Sequence, residues 1–209
     1  MAALTQKRRR QPPKSQTAIK AKGSPASHSP EECCAFTTAL GAIAVAWRGK
    51  SVTRISLGHF SEAAALATIS SGEAVATQVA PEFVRNLVDR LQTYAAGDTS
   101  VTFSDIPLEL SHLSSFQRKV VDRCRRIAAG KTRTYGELAD LAGFPGAARA
   151  VGSVMSSNRY PIVIPCHRVV GSAGSLGGFS APQGISLKQR MLTLEGAPLK
   201  SKPRPRKAK

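Results

Sequence analysis

Cys166, His167 and Arg168 follow one another directly, behind Pro165 and the apolar run Ile162-Val163-Ile164, which Pro161 precedes. A thiol becomes a nucleophile when it ionises, and basic or cationic neighbours favour the thiolate. The apolar run reads as a short buried extended segment. Pro165 ends it and restrains the backbone just before the cysteine. Core packing is the plain alternative for Cys166, since free cysteine is among the most buried residue types. The flanking prolines and Arg168 favour chemistry. Glu195 is the only acidic residue after Asp140. It falls at the end of a final helix predicted over 185–194, where a negative charge opposes the helix dipole. It therefore asks for a partner, which an imidazole such as His167 can supply. That helix is expected to pack Ile185, Leu187, Met191, Leu192 and Leu194.

The elements before Cys166 must carry it to a ligand. Ser114-Ser115-Phe116 opens a helix with Phe116, Val120, Cys124 and Ile127 on one face, and Gly130 is expected to end it. Cys124 on that stripe reads as core. Thr134 and Glu137 have the spacing of a capping box, and Leu138, Leu141 and Ala142 give the helix behind it an apolar face. After the turn Gly143-Phe144-Pro145-Gly146, a second helix is predicted over 147–155. Two short helices about a glycine turn form a helix-turn-helix pattern, whose second helix meets a DNA groove by its N-terminal end. Ala147, Ala148, Ala150, Gly152 and Ser153 are small enough for close approach to a nucleic-acid backbone. Arg149 is the one long polar side chain there; a surface arginine is its plain alternative. The glycine-rich stretch 171–180 lacks the spacing of a phosphate-binding loop and suits the wall of a pocket for a flat ligand.

The first half reads as a small α/β unit. Ala42–Trp47 and Val52–Leu57 alternate around Arg48-Gly49-Lys50 as a hairpin, and 61–70 is alanine-rich and helix-prone. Pro81 opens a helix that spaces Val84, Leu87, Val88 and Leu91 on one face before Gly97 stops it. Val101–Phe103 and Ile106–Leu110 are candidate strands, and the folded part is expected to begin near Phe36. This unit shows no cluster that looks like a site, so its expected role is structural. Four cysteines, at 33, 34, 124 and 166, form neither a disulfide framework nor a CxxC pair, so free thiols in a reducing compartment are expected. Cys33, Cys34, His28 and His59 lack zinc-ligand spacing.

The net charge of +17 is uneven. Residues 1–30 hold seven basic and no acidic residues, and 197–209 hold six and none. Residues 31–114 carry −4, whereas 115–196 carry +8. A basic half around Cys166 suggests a polyanion such as nucleic acid. The tails read as disordered, and Lys7–Arg10 is a weak import-like cluster. No stretch approaches the length of a membrane span, and the N-terminus lacks a secretion pattern. The expected architecture is α+β: a disordered tail over 1–33, a mixed-sheet unit over 34–110, a mostly helical unit with the helix-turn-helix and the cysteine over 111–197, and a tail over 198–209.

Pro165-Cys166-His167-Arg168-Val169, with Tyr135-Gly136-Glu137-Leu138-Ala139 and Ala147-Ala148-Arg149-Ala150-Val151-Gly152 before it, resembles the O6-alkylguanine-DNA alkyltransferase family. The resemblance runs from about Ser115 to Glu195; residues 36–110 resemble the family's N-terminal domain only in length and outline. It implies a protein that flips O6-alkylguanine, and O4-alkylthymine as a second substrate, out of duplex DNA and moves the alkyl group irreversibly to its own cysteine. By position, Cys166 is the implied acceptor. His167 is the implied base, acting through a water and oriented by Glu195. Tyr135 presses on the target phosphate and hydrogen-bonds or protonates the leaving guanine. Arg149 replaces the flipped base, with Ala147, Ala148, Gly152 and Ser153 against the backbone. Asn158 braces the active-site turn. The carbonyls of Cys166 and Val169 read the guanine amino group, and Pro161, Phe179 and Ser180 line the pocket.

The resemblance also implies no cofactor and no metal, damaged double-stranded DNA as partner, no membrane, and a monomer. The expected location is the cytoplasm and nucleoid in a bacterium or the nucleus in a eukaryote. The chain departs from the family at Ser114-Ser115, where Thr-Pro is commoner, at Asn158-Arg159, where Asn-Pro is commoner, and at Phe179, where a tyrosine hydroxyl is lost. Two other readings of the residues stand beside it: a non-catalytic helix-turn-helix protein that recognises alkylated bases, and a cysteine hydrolase. The second is disfavoured because hydrolases usually bring a distant histidine to the cysteine.

Overall fold

The computed structural model describes residues 30–69, 75–77 and 79–198. The expected tails over 1–33 and 198–209, Lys7–Arg10 and His28 lie wholly or mostly outside the described residues. In chain order the elements are β1 (Glu32–Thr38), β2 (Gly41–Arg48), β3 (Ser51–His59), α1 (Glu62–Ile69), β4 (Val75–Ala76), α2 (Glu82–Ala95), α3 (Ser115–Arg125), β5 (Arg133–Thr134), α4 (Tyr135–Leu141), α5 (Ala148–Ser156), β6 (Val169–Val170) and α6 (Gly184–Leu194). The fold is α+β. A four-stranded mixed sheet, ordered β3-β2-β1-β4, comes first, with only the β1–β4 pairing parallel. The helical part follows, and β5 and β6 form a short parallel pair within it.

Alternation along the strands sorts the core, because successive strand side chains face opposite ways. Cys33, Ala42, Ala44 and Ala46 pack beneath Ala65 and Ile69 of α1. Small residues on that face leave room for a helix lying close. The opposite face presents Ile43, Val45 and Trp47 to a larger cluster that also takes in Leu87 and Leu91 of α2, Val120 and Cys124 of α3, Leu138 of α4, and Ile164. One continuous core thus joins the sheet to the helices that precede and follow Cys166.

Several expectations are corrected. β1 starts at Glu32 rather than near Phe36. Val101–Phe103 and Ile106–Leu110 are not strands. Pro107 cannot donate to a ladder, and this stretch meets β3 only through one bridge, Leu108 to Val52. The run Ile162–Ile164 is buried but turned, not extended. Ile162 has a φ of 72°, rare and costly for a β-branched residue. The turn is held by Asn158, whose Nδ2 donates to the Ile164 carbonyl at 2.9 Å while its Oδ1 accepts from the Tyr160 amide at 3.0 Å. α3 ends at Arg125, well before Gly130. Ile185 points outward, 49% exposed.

Candidate active site

The predicted cap at Thr134 forms, a second one forms at Ser114 where only a helix start was expected, and together they set the helices that frame the site. Ser114 and Gln117 make a reciprocal capping box on α3, and Thr134 and Glu137 make one on α4. The second box places Tyr135 at the first residue of α4. α4 and α5 pack against each other, so Tyr135 lies beside the start of α5. The 3-10 turn Cys166–Arg168 follows the Asn158-braced turn, and the Cys166 amide donates to the Ile164 carbonyl at 2.8 Å.

A cavity of about 510 Å³ opens here, within the range of ordinary ligand sites. It is lined by Cys166, Tyr135, Asn158, Pro161, Gly152 and Met155, by Phe179 and Ser180, and by Ile55, Ser56 and Leu57 of β3. The glycine-rich stretch folds over Tyr135: Gly177 has a φ of 68°, and a Cβ there would stand 2.8 Å from the Tyr135 hydroxyl oxygen. Ser180 fastens this wall by donating to the Ser156 carbonyl at 2.9 Å. Arg149 is exposed on the outer flank of α5 and shares a shallower depression with Tyr135, Ala148 and Gly152. Its guanidinium has no partner among the described residues. Ala147 caps the start of α5 and Ser153 is exposed on it; neither lines the main cavity.

His167 and Glu195 lie behind the cavity wall, with no side-chain exposure. Nε2 of His167 donates to Oε1 of Glu195 at 2.8 Å. Arg168 clamps the same carboxylate, its Nε 3.0 Å from Oε2 and its NH2 group 2.8 Å from Oε1. Gly130 adds its amide to Oε2 at 3.3 Å. The unfavourable carboxylate at the end of α6 thus finds its partners. Burial alone would push the Glu195 carboxyl up, but hydrogen bonds from His167 and Arg168, and their charges, hold it far below the usual carboxylate range. Burial keeps His167 below its ordinary value, although Glu195 pulls it back up. Because the carboxylate only accepts, Nε2 carries the imidazole proton and Nδ1 the lone pair. Nδ1 is buried without a hydrogen-bond partner among the described residues.

Burial pushes the Cys166 thiol up, while the Asn158 side chain, the Lys188 charge and the amides of Cys166 and His167 draw it down. The thiol accordingly needs a base to ionise it, and the adjacent His167 keeps an unpaired lone pair on Nδ1. Lys188 is almost wholly buried, and its Nζ donates to the Val169 carbonyl at 2.6 Å. Burial brings its pKa down to about 8. Val169 is fully buried and outside the cavity lining, and its carbonyl accepts this bond from Lys188. From sequence Arg168 is expected only to favour the thiolate, not to clamp Glu195, and Lys188 has no assigned role, although it lies one turn before Leu192 on the apolar side of α6. The β3 wall left no local signal. Among the described residues no group of three or more His, Cys, Asp or Glu is placed to hold a metal. His59 pairs instead with Ser56, Nε2 to Oγ, at 2.7 Å. No described helix is long and apolar enough to cross a membrane.

Comparison with known proteins agrees with this geometry. Residues 115–197 match the family described as the DNA binding domain of 6-O-methylguanine DNA methyltransferase. A methylated-DNA–protein-cysteine methyltransferase of Mycolicibacterium paratuberculosis is 44% identical over 115 residues, 55% of this chain and 67% of the relative. That of Methanosarcina acetivorans is 39% identical over 116 residues, 56% of this chain and 71% of the relative. For that of Mycobacterium bovis, 44% identical over 108 residues, the matched region is 52% of this chain and only 62% of the relative. The crystal structure of Mycobacterium tuberculosis OGT in complex with DNA superposes with a TM-score of 0.65 and 33% identity, covering 80% of this chain and 95% of that one.

Proposed function

The chain belongs to the methylated-DNA–protein-cysteine methyltransferase family, and from that premise we propose that it repairs DNA by direct reversal, moving an alkyl group from O6 of guanine onto Sγ of Cys166. The observation that carries this reading is the cavity lined by both Cys166 and Tyr135, next to which His167 and Glu195 form a fully buried hydrogen-bonded pair.

An O6-alkyl carbon is electrophilic, and a thiolate is a soft nucleophile suited to it. His167 takes the thiol proton on Nδ1 through an intervening water, and Glu195 stabilises the imidazolium through Nε2. Sγ then attacks the alkyl carbon. The S–C bond forms, the C–O6 bond breaks, and its electron pair passes into the guanine ring. Tyr135 supplies a proton to the leaving base and recovers one from the imidazolium. The sum is a thioether and an unmodified guanine. No step regenerates the thiol, so each molecule acts once.

The target atom lies inside the duplex, so the nucleotide must be extruded, at a cost of a few kcal/mol that is least for a damaged base. Arg149, exposed at the head of α5, fills the vacated stack. Ala147, Ala148, Gly152 and Ser153 let α5 lie against the sugar-phosphate backbone, as minor-groove binders do. Asn158 braces the turn that presents the thiol. Pro161, Phe179 and Ser180 wall the base, and O4-alkylthymine offers the same leaving chemistry to the same pocket. The relative solved with DNA supports DNA as the partner of this chain.

The test is to incubate the protein with duplex oligonucleotide carrying O6-methylguanine and weigh it. The mass rises by one methyl group, the added group maps to Cys166, and Cys166→Ser gains nothing. Tight binding of the lesion with no gain in mass would instead favour the non-catalytic reading.

A further inference from the structure

Besides Cys166, the relay behind it takes in a side chain from the other half of the molecule. Tyr94, in the last turn of α2, is 1% exposed. Its hydroxyl donates to Oε1 of Glu195 at 2.7 Å and stands 3.4 Å from Nε2 of His167. Its ring is seated edge-on against Phe103, 6.3 Å between centroids, so the phenol is held from both ends. We propose that Tyr94 is a positioning residue for alkyl transfer, and that the sheet-bearing half of the chain thereby completes the active site. The proposal rests on the alkyl-transfer reading of Cys166.

The geometry gives the phenol two tasks. A phenol has one proton, and the shorter contact shows it spent on Glu195. Its oxygen lone pairs then face the proton on Nε2 of His167. Two acceptors, Oε1 and the phenol oxygen, hold that proton on Nε2, and Nδ1 stays the bare lone pair that the thiol needs. The second task concerns charge. Oε1 receives Tyr94, His167 and Arg168 together. A share of the carboxylate charge goes to the phenol, so less of it acts on the imidazole. The groups facing His167 are Tyr94 from α2, Lys188 from α6, Glu195 just past the end of α6, and its own neighbours Cys166 and Arg168. Of these, Tyr94 alone belongs to the half preceding α3.

Tyr94→Phe removes one oxygen and keeps the ring against Phe103. In the full chain we expect methyl transfer from O6-methylguanine to slow about tenfold, as for a donor lost from a buried charge. Affinity for lesion-bearing DNA should stay unchanged, since the site of change lies behind the cavity. With the phenol gone, Glu195 acts more fully on His167, so the acid limb of the pH–rate profile moves to higher pH. Because Tyr94 acts through Glu195, the double variant Tyr94→Phe, Glu195→Gln should be no slower than Glu195→Gln alone.

An unchanged rate and acid limb in folded Tyr94→Phe, or independent multiplicative slowing in the double variant, overturns the proposal while leaving alkyl transfer intact. A wild-type protein that gains no methyl group overturns both. Should Tyr94→Phe not fold, the ¹⁵N shifts of His167 in the wild type decide. A proton on Nε2 at neutral pH is expected, and a proton on Nδ1 overturns the proposal.

Discussion

Gly130 and Glu195 meet at two points: the glycine amide reaches the Glu195 carboxylate, and a Cβ on Gly130 would stand 2.8 Å from the Glu195 carbonyl oxygen. With a φ of 72°, this glycine is required by conformation and by space. Gly130→Ala should lose about 2–4 kcal/mol of stability from the left-handed backbone and the clash together. Urea unfolding measures it. Alkyl transfer should slow as well, because the carboxylate behind His167 must move.

Glu195→Gln leaves the partly buried Arg168 without its counter-charge, which costs about 3 kcal/mol at neutral pH, the low end for a buried pair. The folded-state pKa of Glu195 lies below its unfolded value of 4.5. The stability it lends is therefore present above pH 4.5 and is lost as pH falls below it. The gap between wild type and Glu195→Gln should narrow on acidification under that point, as followed by chemical unfolding at each pH. At neutral pH the variant should also alkylate with iodoacetamide at Cys166 more slowly.

Lys188 titrates near pH 8 when folded, against an ordinary value of 10.5. Between these values the unfolded chain binds the extra proton, so stability rises with pH across that window. Relative to Lys188→Met, the wild type should gain about 2–3 kcal/mol between pH 8 and 10.5. Unfolding free energies of the two proteins over this range check the sign.

Tyr135→Phe and Arg149→Ala should keep a reactive thiol but repair duplex substrate about 10-fold to 100-fold more slowly. For Arg149→Ala the defect should shrink on single-stranded substrate, where no stack has to be refilled. Rapid-quench measurement of methyl transfer on both substrates separates the two roles.

Deleting 1–29 and 199–209 removes most of the surplus positive charge. If the tails neutralise phosphates, the slope of log affinity against log salt becomes shallower by nearly one for each phosphate that the shortened chain leaves uncovered. An unchanged slope would show that binding rests on the α3–α6 half.

Local chemistry determined much of this protein. Cys166, its basic neighbours and the lone Glu195 are legible because reactivity and charge reside in residue types. The capping box of Thr134 and Glu137 is legible because a cap links residues three apart, and the β2–β3 hairpin because its two strands alternate around a glycine. Tertiary structure alone decided the rest. The apolar run Ile162–Ile164 announced burial but not a turn, since burial follows from hydrophobicity and backbone conformation from the partners Asn158 provides. The spacing of Val84, Leu87 and Leu91 continues to Tyr94, which marks a buried phenol but not its partner. Glu195 lies 101 residues further along the chain. No local pattern couples positions so far apart, and only the shared core, by closing the sheet onto the helices, brings phenol, carboxylate and imidazole within hydrogen-bonding reach.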